Sequence, residues 1–250
     1  MLRQTFLPLL LLFCFTQCTE TPAGDPSTAE NTNTEMTKRT DVHSYAHPDQ
    51  AKTTHLDLNL AVDFGKKQLA GFARWTIENN NASEVIFDVR DLEIEKVTLG
   101  EAETETTFAI GEPTEFLGSS LTVAIQPTTE IVTIYYKTTP DGAAAVDWLD
   151  PQQTADKKHP FLFTQGQAIL TRTWIPCQDS PGIRITYDAT VKTDPNLLAV
   201  MSASNPTEKN AEGVYTFKMA QPIPPYLLAL AVGDLVFQPI GDETGVYAEP

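Results

Sequence analysis

The chain has 250 residues, with 33 Asp and Glu against 17 Lys and Arg and a formal net charge of −16. That acidic balance opposes binding to nucleic acid phosphates, and the length suits one ordinary domain with a tail, or two small ones. The three cysteines, Cys14, Cys18 and Cys177, are too few and too placed toward the start to build a disulfide framework, so the fold must rest on its core.

Residues 1–17 carry one basic residue, Arg3, then an apolar run from Phe6 to Phe15. A charged start and an apolar core about ten residues long read as a secretory signal peptide, too short to span a bilayer. Cys18 closes the signal and is followed by Thr19-Glu20-Thr21-Pro22-Ala23-Gly24. A cysteine so placed resembles a bacterial lipoprotein anchor, although Phe15-Thr16-Gln17 departs from the usual Leu-Ala-Gly pattern. Two readings stay open. Lipidation at Cys18 makes the chain an exported periplasmic or outer-membrane lipoprotein, touching membrane only through its anchor, whereas plain cleavage makes it secreted. Residues 18–50 hold Thr, Glu, Pro, Ser, Asn and Asp with almost no apolar residue, and read as a disordered tether. His43 and His47 in that stretch stand four apart, but no glutamate follows His43 and Pro48 comes at once. That context opposes the helix a zinc-binding pair of this spacing needs.

From His55 the pattern is that of strands. Leu56, Leu58, Leu60 and Val62 alternate with Asp57, Asn59, Ala61 and Asp63, the mark of a half-buried strand. Gly65-Lys66-Lys67 turns it into a partner from Leu69 to Glu78. Further strands are expected at Val85–Val89, Ile94–Leu99, Phe108–Ile110, Leu121–Ile125 and Val132–Tyr136. Pro151 to Lys158 reads as an irregular or helical connection. Ile183–Val191, Leu198–Met201 and Val214–Met219 continue the series, and Tyr226–Val232 reads as a continuous apolar strand buried on both faces. Short strands with no long period of 3.6 predict an all-β domain over residues 51–250.

The most informative stretch runs from His159 to Tyr187. After Phe161-Leu162-Phe163 it places Gln165-Gly166-Gln167-Ala168, then Arg172, then Pro176-Cys177-Gln178-Asp179-Ser180-Pro181. Gly166 allows another backbone or a ligand to approach closely. The amides of Gln165 and Gln167 each carry a donor and an acceptor, enough to hold the ends of a peptide, or equally to satisfy backbone at a strand bend. Arg172 reads as a structural ion pair, with Asp179 the partner in view, because a buried arginine needs one. Cys177 reads as a small buried residue, Trp148 as a core or interdomain side chain, and Asp179–Gly182 as a turn.

Arg172 followed by Pro176-Cys177-x-Asp179-x-Pro181 resembles the zinc aminopeptidases of the alanyl aminopeptidase and leukotriene A4 hydrolase family, and most closely the leukotriene A4 hydrolase branch. That branch has segments similar to Trp148–Thr154, His159–Phe163 and Pro222–Leu227. The resemblance implies an all-β, saddle-shaped, sandwich-like N-terminal domain of mostly antiparallel strands. It also implies that Gln165, Gly166, Gln167 and Ala168 form a substrate-binding wall for the N-terminus of a peptide. Many members carry glutamate where this chain has Gln167.

The family's catalytic zinc is held by His-Glu-x-x-His and a distant glutamate, with a Gly-x-Met-Glu-Asn segment on the substrate ammonium. None of the four histidines here, His43, His47, His55 and His159, is followed by glutamate. The expectation is therefore a domain or fragment that is not catalytic alone. It binds no zinc itself and works with a missing catalytic domain that supplies the metal. A free-standing β-sandwich that binds a ligand or partner is the competing expectation.

Overall fold

The computed structural model describes residues 41–250, so the expected signal and Cys18 lie outside the described residues. In chain order the strands are β1 (Ala51–Asp63), β2 (Gln68–Asn79), β3 (Glu84–Val89) and β4 (Leu92–Leu99). Next come β5 (Thr104–Thr106), β6 (Phe108–Ile110), β7 (Ser119–Ala124), β8 (Ile131–Thr138) and β9 (Val146–Leu149). Then follow β10 (Phe161–Thr164), β11 (Ile185–Lys192), β12 (Leu198–Met201) and β13 (Val214–Ile223). The last are β14 (Leu230–Gly233), β15 (Val236–Pro239) and β16 (Gly245–Ala248). Among the described residues helix is confined to single 3-10 turns at Pro151–Gln153, Thr171–Thr173 and Pro225–Leu227. The expected all-β class holds.

The strands form a seven-stranded sheet, β13-β11-β1-β2-β8-β4-β5, a four-stranded sheet, β12-β14-β10-β9, a three-stranded sheet, β3-β7-β6, and the hairpin β15-β16. Among the described residues every strand pair is antiparallel except β1 with β11. Period-two alternation decides which face of each strand is buried. Leu56 and Leu58 of β1 stand opposite Trp75 and Ala73 of β2, and Leu60 and Ile77 are buried on the same face. Phe87 and Leu121 from the three-stranded sheet, and Leu162 and Val232 from the four-stranded sheet, belong to the same core cluster. Each such side chain fully buried contributes about 1.5–3 kcal/mol. The opposite face of the large sheet carries His55, Asp57, Asn59, Phe72 and Tyr135, all half-buried or exposed.

Two expectations change. Tyr226–Val232 is not one continuous strand: the chain turns at Pro225–Leu227, and the strand itself is only Leu230–Gly233. Pro224 and Pro225 fix φ and offer no N–H to a ladder, so the backbone starts a turn there. Leu227 is exposed and Ala231 half-buried, so the segment is not covered on both faces. The last residues of the expected tether, 41–50, are packed instead of disordered. From Asp41 onward the chain lies against the domain: Ser180 Oγ donates to Asp41 Oδ2 at 2.5 Å, and the Tyr45 N–H donates to Asp88 Oδ1 at 2.7 Å.

The anchor for that segment is a buried ion network. Arg172 is fully buried and its Nε donates to Asp179 Oδ2 at 3.2 Å. Its Nη1 donates to the Leu117 carbonyl at 2.9 Å, and its Nη2 to the carbonyls of His43 at 2.7 Å and Asp179 at 3.0 Å. Asp88, also fully buried, lies 3.7 Å from Arg172 Nη1 and accepts from Ser44 Oγ at 2.6 Å and the Asp179 N–H at 2.8 Å. Burial pushes the Asp179 carboxyl up to about 6, against the pull of the Arg172 guanidinium. Burial also raises the Cys177 thiol well above its ordinary range, with Asp179 and Asp88 adding to the effect, which keeps it an unreactive core residue. Gln178 completes the seam, accepting from the Thr53 N–H at 2.9 Å and donating to the Ala51 carbonyl at 2.8 Å.

Arg172→Ala should destabilise the domain by about 3–5 kcal/mol, because two buried carboxylates lose their counter-charge. Urea unfolding measures this, and a loss below about 1 kcal/mol would show the network to be peripheral. Trp75 Nε1 donates to the buried Pro176 carbonyl at 2.9 Å. Trp75→Phe should cost about 1–3 kcal/mol in the same assay by orphaning that carbonyl.

Candidate functional site

The Gln165-Gly166-Gln167-Ala168 segment leaves the end of β10 and runs into the 3-10 turn at Thr171–Thr173. The Gln165 N–H donates to the Ala145 carbonyl at 2.8 Å, continuing the register of β9 with β10 for one residue. The Leu170 N–H then closes the loop onto the Gly166 carbonyl at 2.8 Å. Gly166 is buried, and a Cβ there would sit 2.6 Å from Thr171 Oγ1 and 3.0 Å from the Tyr226 carbonyl oxygen. Only glycine lets these two backbones meet. Thr171 Oγ1 donates to the Pro225 carbonyl at 3.0 Å, and Thr164 Oγ1 accepts from the Leu230 N–H at 2.9 Å. The loop is thus clamped to the Pro222–Leu227 segment, which lies far away in sequence.

Gln165, Gln167 and Ala168 are exposed while Gly166 is buried beneath them. The two amides behave differently. Gln165 Oε1 accepts from the Gln167 N–H at 3.2 Å, so it partly serves its own loop, as the backbone-satisfying reading expected. The exposed Gln167 side chain makes no hydrogen bond among the described residues. The peptide between Gln167 and Ala168 is cis. Chemically, the loop presents neutral donors and acceptors rather than a charge, suited to hydrogen-bonding a polar backbone. Trp148 does not join it: it packs edge-on against Phe64, with ring centroids 5.3 Å apart, in line with a core role.

Two other groups gather side chains able to ligate a metal. One is His55, Asp57 and Asp188, on the open face of the large sheet. His55 Nε2 lies 3.5 Å from Asp57 Oδ1 and 3.6 Å from Asp188 Oδ2. Spacing along the chain does not reveal this group, because the parallel pairing of β1 with β11 assembles it. The other is Asp156, His159 and Asp234. There both carboxylates approach the same atom, His159 Nδ1, at 2.6 and 3.4 Å. Asp156 Oδ1 also accepts from the N–H groups of Lys158 and His159. Those backbone donors, with His159, hold its carboxyl well below the usual range. That cluster reads as a capped turn. Among the described residues neither group contains a His-Glu-x-x-His pair, so neither fits the family's catalytic zinc.

The Peptidase M1 N-terminal domain family matches residues 52–227. Leukotriene A-4 hydrolase from Xenopus laevis is 34% identical over 220 residues, covering 84% of this chain and 36% of that protein. Leucine aminopeptidase 2 from Yarrowia lipolytica is 36% identical over 234 residues, covering 92% of this chain and 33% of that protein. Among solved structures, native yeast LTA4 hydrolase superposes with a TM-score of 0.78 at 29% identity, over 86% of this chain and 34% of that one. The M1 zinc metallopeptidase from Deinococcus radiodurans shares the fold, with a TM-score of 0.61 at 20% identity over 79% of this chain and 46% of that one. The chain therefore spans about a third of the length of the curated relatives it matches. By the family match and the identity with these relatives, the chain belongs to the M1 peptidase N-terminal domain family.

Proposed function

We propose that this chain forms one wall of the peptide-binding cleft of an exported zinc aminopeptidase. The observation that carries the reading is the Gln165–Ala168 loop. It holds the expected substrate-binding residues at the surface while its buried Gly166 is clamped between Thr171 and Tyr226. A loop so fixed lowers the backbone part of the ordering cost on binding, and the Gln167 side chain is ordered by the ligand it bonds. In this reading Gln165 and Gln167 bond the first residue of a peptide, and small Ala168 leaves room for its side chain.

Zinc, when bound to the catalytic domain, activates the hydrolytic water. No pair of residues here matches the ligand motif, so the metal and the general base come from residues outside this chain. The wall's own work is to bind and orient. Gln167, being neutral, can accept a hydrogen bond from a peptide ammonium but cannot pair its charge, so charge selection falls to the catalytic partner. Relatives named as aminopeptidases and as a zinc metallopeptidase support this reading. The exposed Phe163 and Leu227 beside the loop offer apolar surface for such a domain.

Joined to an M1 catalytic domain, the chain should support hydrolysis of an aminoacyl reporter. Gln167→Ala should then lower kcat/KM by about 5- to 30-fold, the equivalent of about 1–2 kcal/mol for one lost hydrogen bond, with the thermal midpoint unchanged. Wild-type kinetics in Gln165→Ala and Gln167→Ala together would overturn the assignment and leave the loop structural. The 250-residue chain alone should turn over no reporter. We also propose export with a lipid anchor at Cys18, and Cys18→Ser should move the protein from the membrane to the soluble fraction. Unchanged partition would leave plain secretion.

A further inference from the structure

His55 and Asp57 are two apart on β1, so both point to the open face of the seven-stranded sheet. In the parallel register Asp57 stands directly opposite Asp188 of β11. Like charges directly opposed across a pair of strands are destabilising; here Asp57 also stands opposite Arg74 of β2 and Asp188 opposite Lys218 of β13, which offset part of that repulsion. The imidazole faces both carboxylates with one atom, Nε2, at 3.5 Å and 3.6 Å. Those separations exceed an N–H···O hydrogen bond, which is about 2.7–3.2 Å. They match the edge of a tetrahedron of ligands, which is about 3.3–3.6 Å for metal–ligand bonds of about 2.0–2.2 Å. All three ligand atoms lie within 4.8 Å of one another.

A second observation fixes the ring. His55 Nδ1 is 2.7 Å from Thr186 Oγ1, the residue opposite it in register. A metal-bound histidine commonly has its other ring nitrogen held by a polar partner; the Thr186 hydroxyl fixes the ring's orientation and can accept from Nδ1–H when Nε2 carries the free lone pair. Lys218 Nζ now lies 3.1 Å from Asp188 Oδ1 and 3.3 Å from Oδ2. Its side chain is 71% exposed, so it can yield to a divalent ion at little cost.

We propose that His55, Asp57 and Asp188 form a zinc site on this face, with solvent at the fourth position. One nitrogen and two carboxylate oxygens suit zinc, and the charge of the ion would offset what Arg74 and Lys218 leave of the Asp57–Asp188 repulsion. Bound there, the ion would cross-link β1 to β11, the one parallel seam of the large sheet. This inference does not depend on the cleft reading.

The test titrates Zn2+ alone into the 250-residue chain by calorimetry and follows its melting temperature. One equivalent should bind, and melting should rise with zinc concentration. His55→Ala and Asp188→Asn should each abolish or strongly weaken binding, and Thr186→Val should weaken it by about tenfold or more. Lys218→Ala should tighten it by removing the competitor. His159→Ala should bind as the wild type does, which separates this site from the Asp156 cluster. All these residues lie on the surface, and circular dichroism checks that each variant folds. Absence of saturable binding, or binding retained in His55→Ala, would overturn the proposal.

Discussion

The domain is held together at the buried guanidinium of Arg172. Taking one cation and two carboxylates out of water costs several kcal/mol for each ion, and only dense hydrogen bonding offsets that. Here the offset comes from five directions. Arg172 reaches Asp179, Leu117 and His43, and Asp88 collects donors from Ser44, Tyr45 and Asp179. The network therefore ties together the segment leading into β1, the edge of the three-stranded sheet, and the turn that follows the Gln-Gly-Gln loop. Breaking such a network by removing one partner costs more than its net contribution to stability, because it leaves buried charges uncompensated.

The loop inherits its position from that anchor. Arg172 belongs to the 3-10 turn that ends the loop, and Thr171 beside it reaches Pro225. Gly166 lies on Tyr226, and the Arg90 N–H donates to the Arg172 carbonyl at 3.0 Å. The exposed amide of Gln167 thus stands on a frame with contacts to two sheets. A fixed backbone of this kind lowers what any partner of the loop must order on binding.

The open face of the large sheet follows a different logic. Its alternation places polar residues outward, as for any sheet covered on one side. The parallel β1–β11 pairing, however, stacks Asp57 on Asp188 and sets His55 beside both. An antiparallel neighbour in another register would have separated them. The chemistry of that face is a consequence of topology rather than of any local motif.

Much was legible in the amino-acid sequence. The strict alternation from Leu56 to Val62, the glycine and asparagine turns, and the lack of a 3.6 period determined the all-β class, because period alone selects the buried face of a strand. A structural ion-pair role for Arg172 was readable too, since a buried arginine needs a partner, but the sequence offered Asp179 only as a candidate. The Gln165–Ala168 segment stood out for its polarity within apolar surroundings. Other features needed the fold. Asp88 falls within the expected strand Val85–Val89, and its role appears only when Tyr45, Asp179 and Arg172 converge on it. Two prolines turned the expected Tyr226–Val232 strand into a turn, because apolar composition does not distinguish a buried strand from a buried turn. Residues 41–46 read as tether by composition, and only the resemblance of His43-Ser44-Tyr45 to the family's entry segment set them apart; they bind the domain through backbone groups that composition does not show. The His55, Asp57 and Asp188 group could not be found along the chain at all. Local pattern sets which face a side chain takes, but only the pairing register of distant strands decides which side chains meet there.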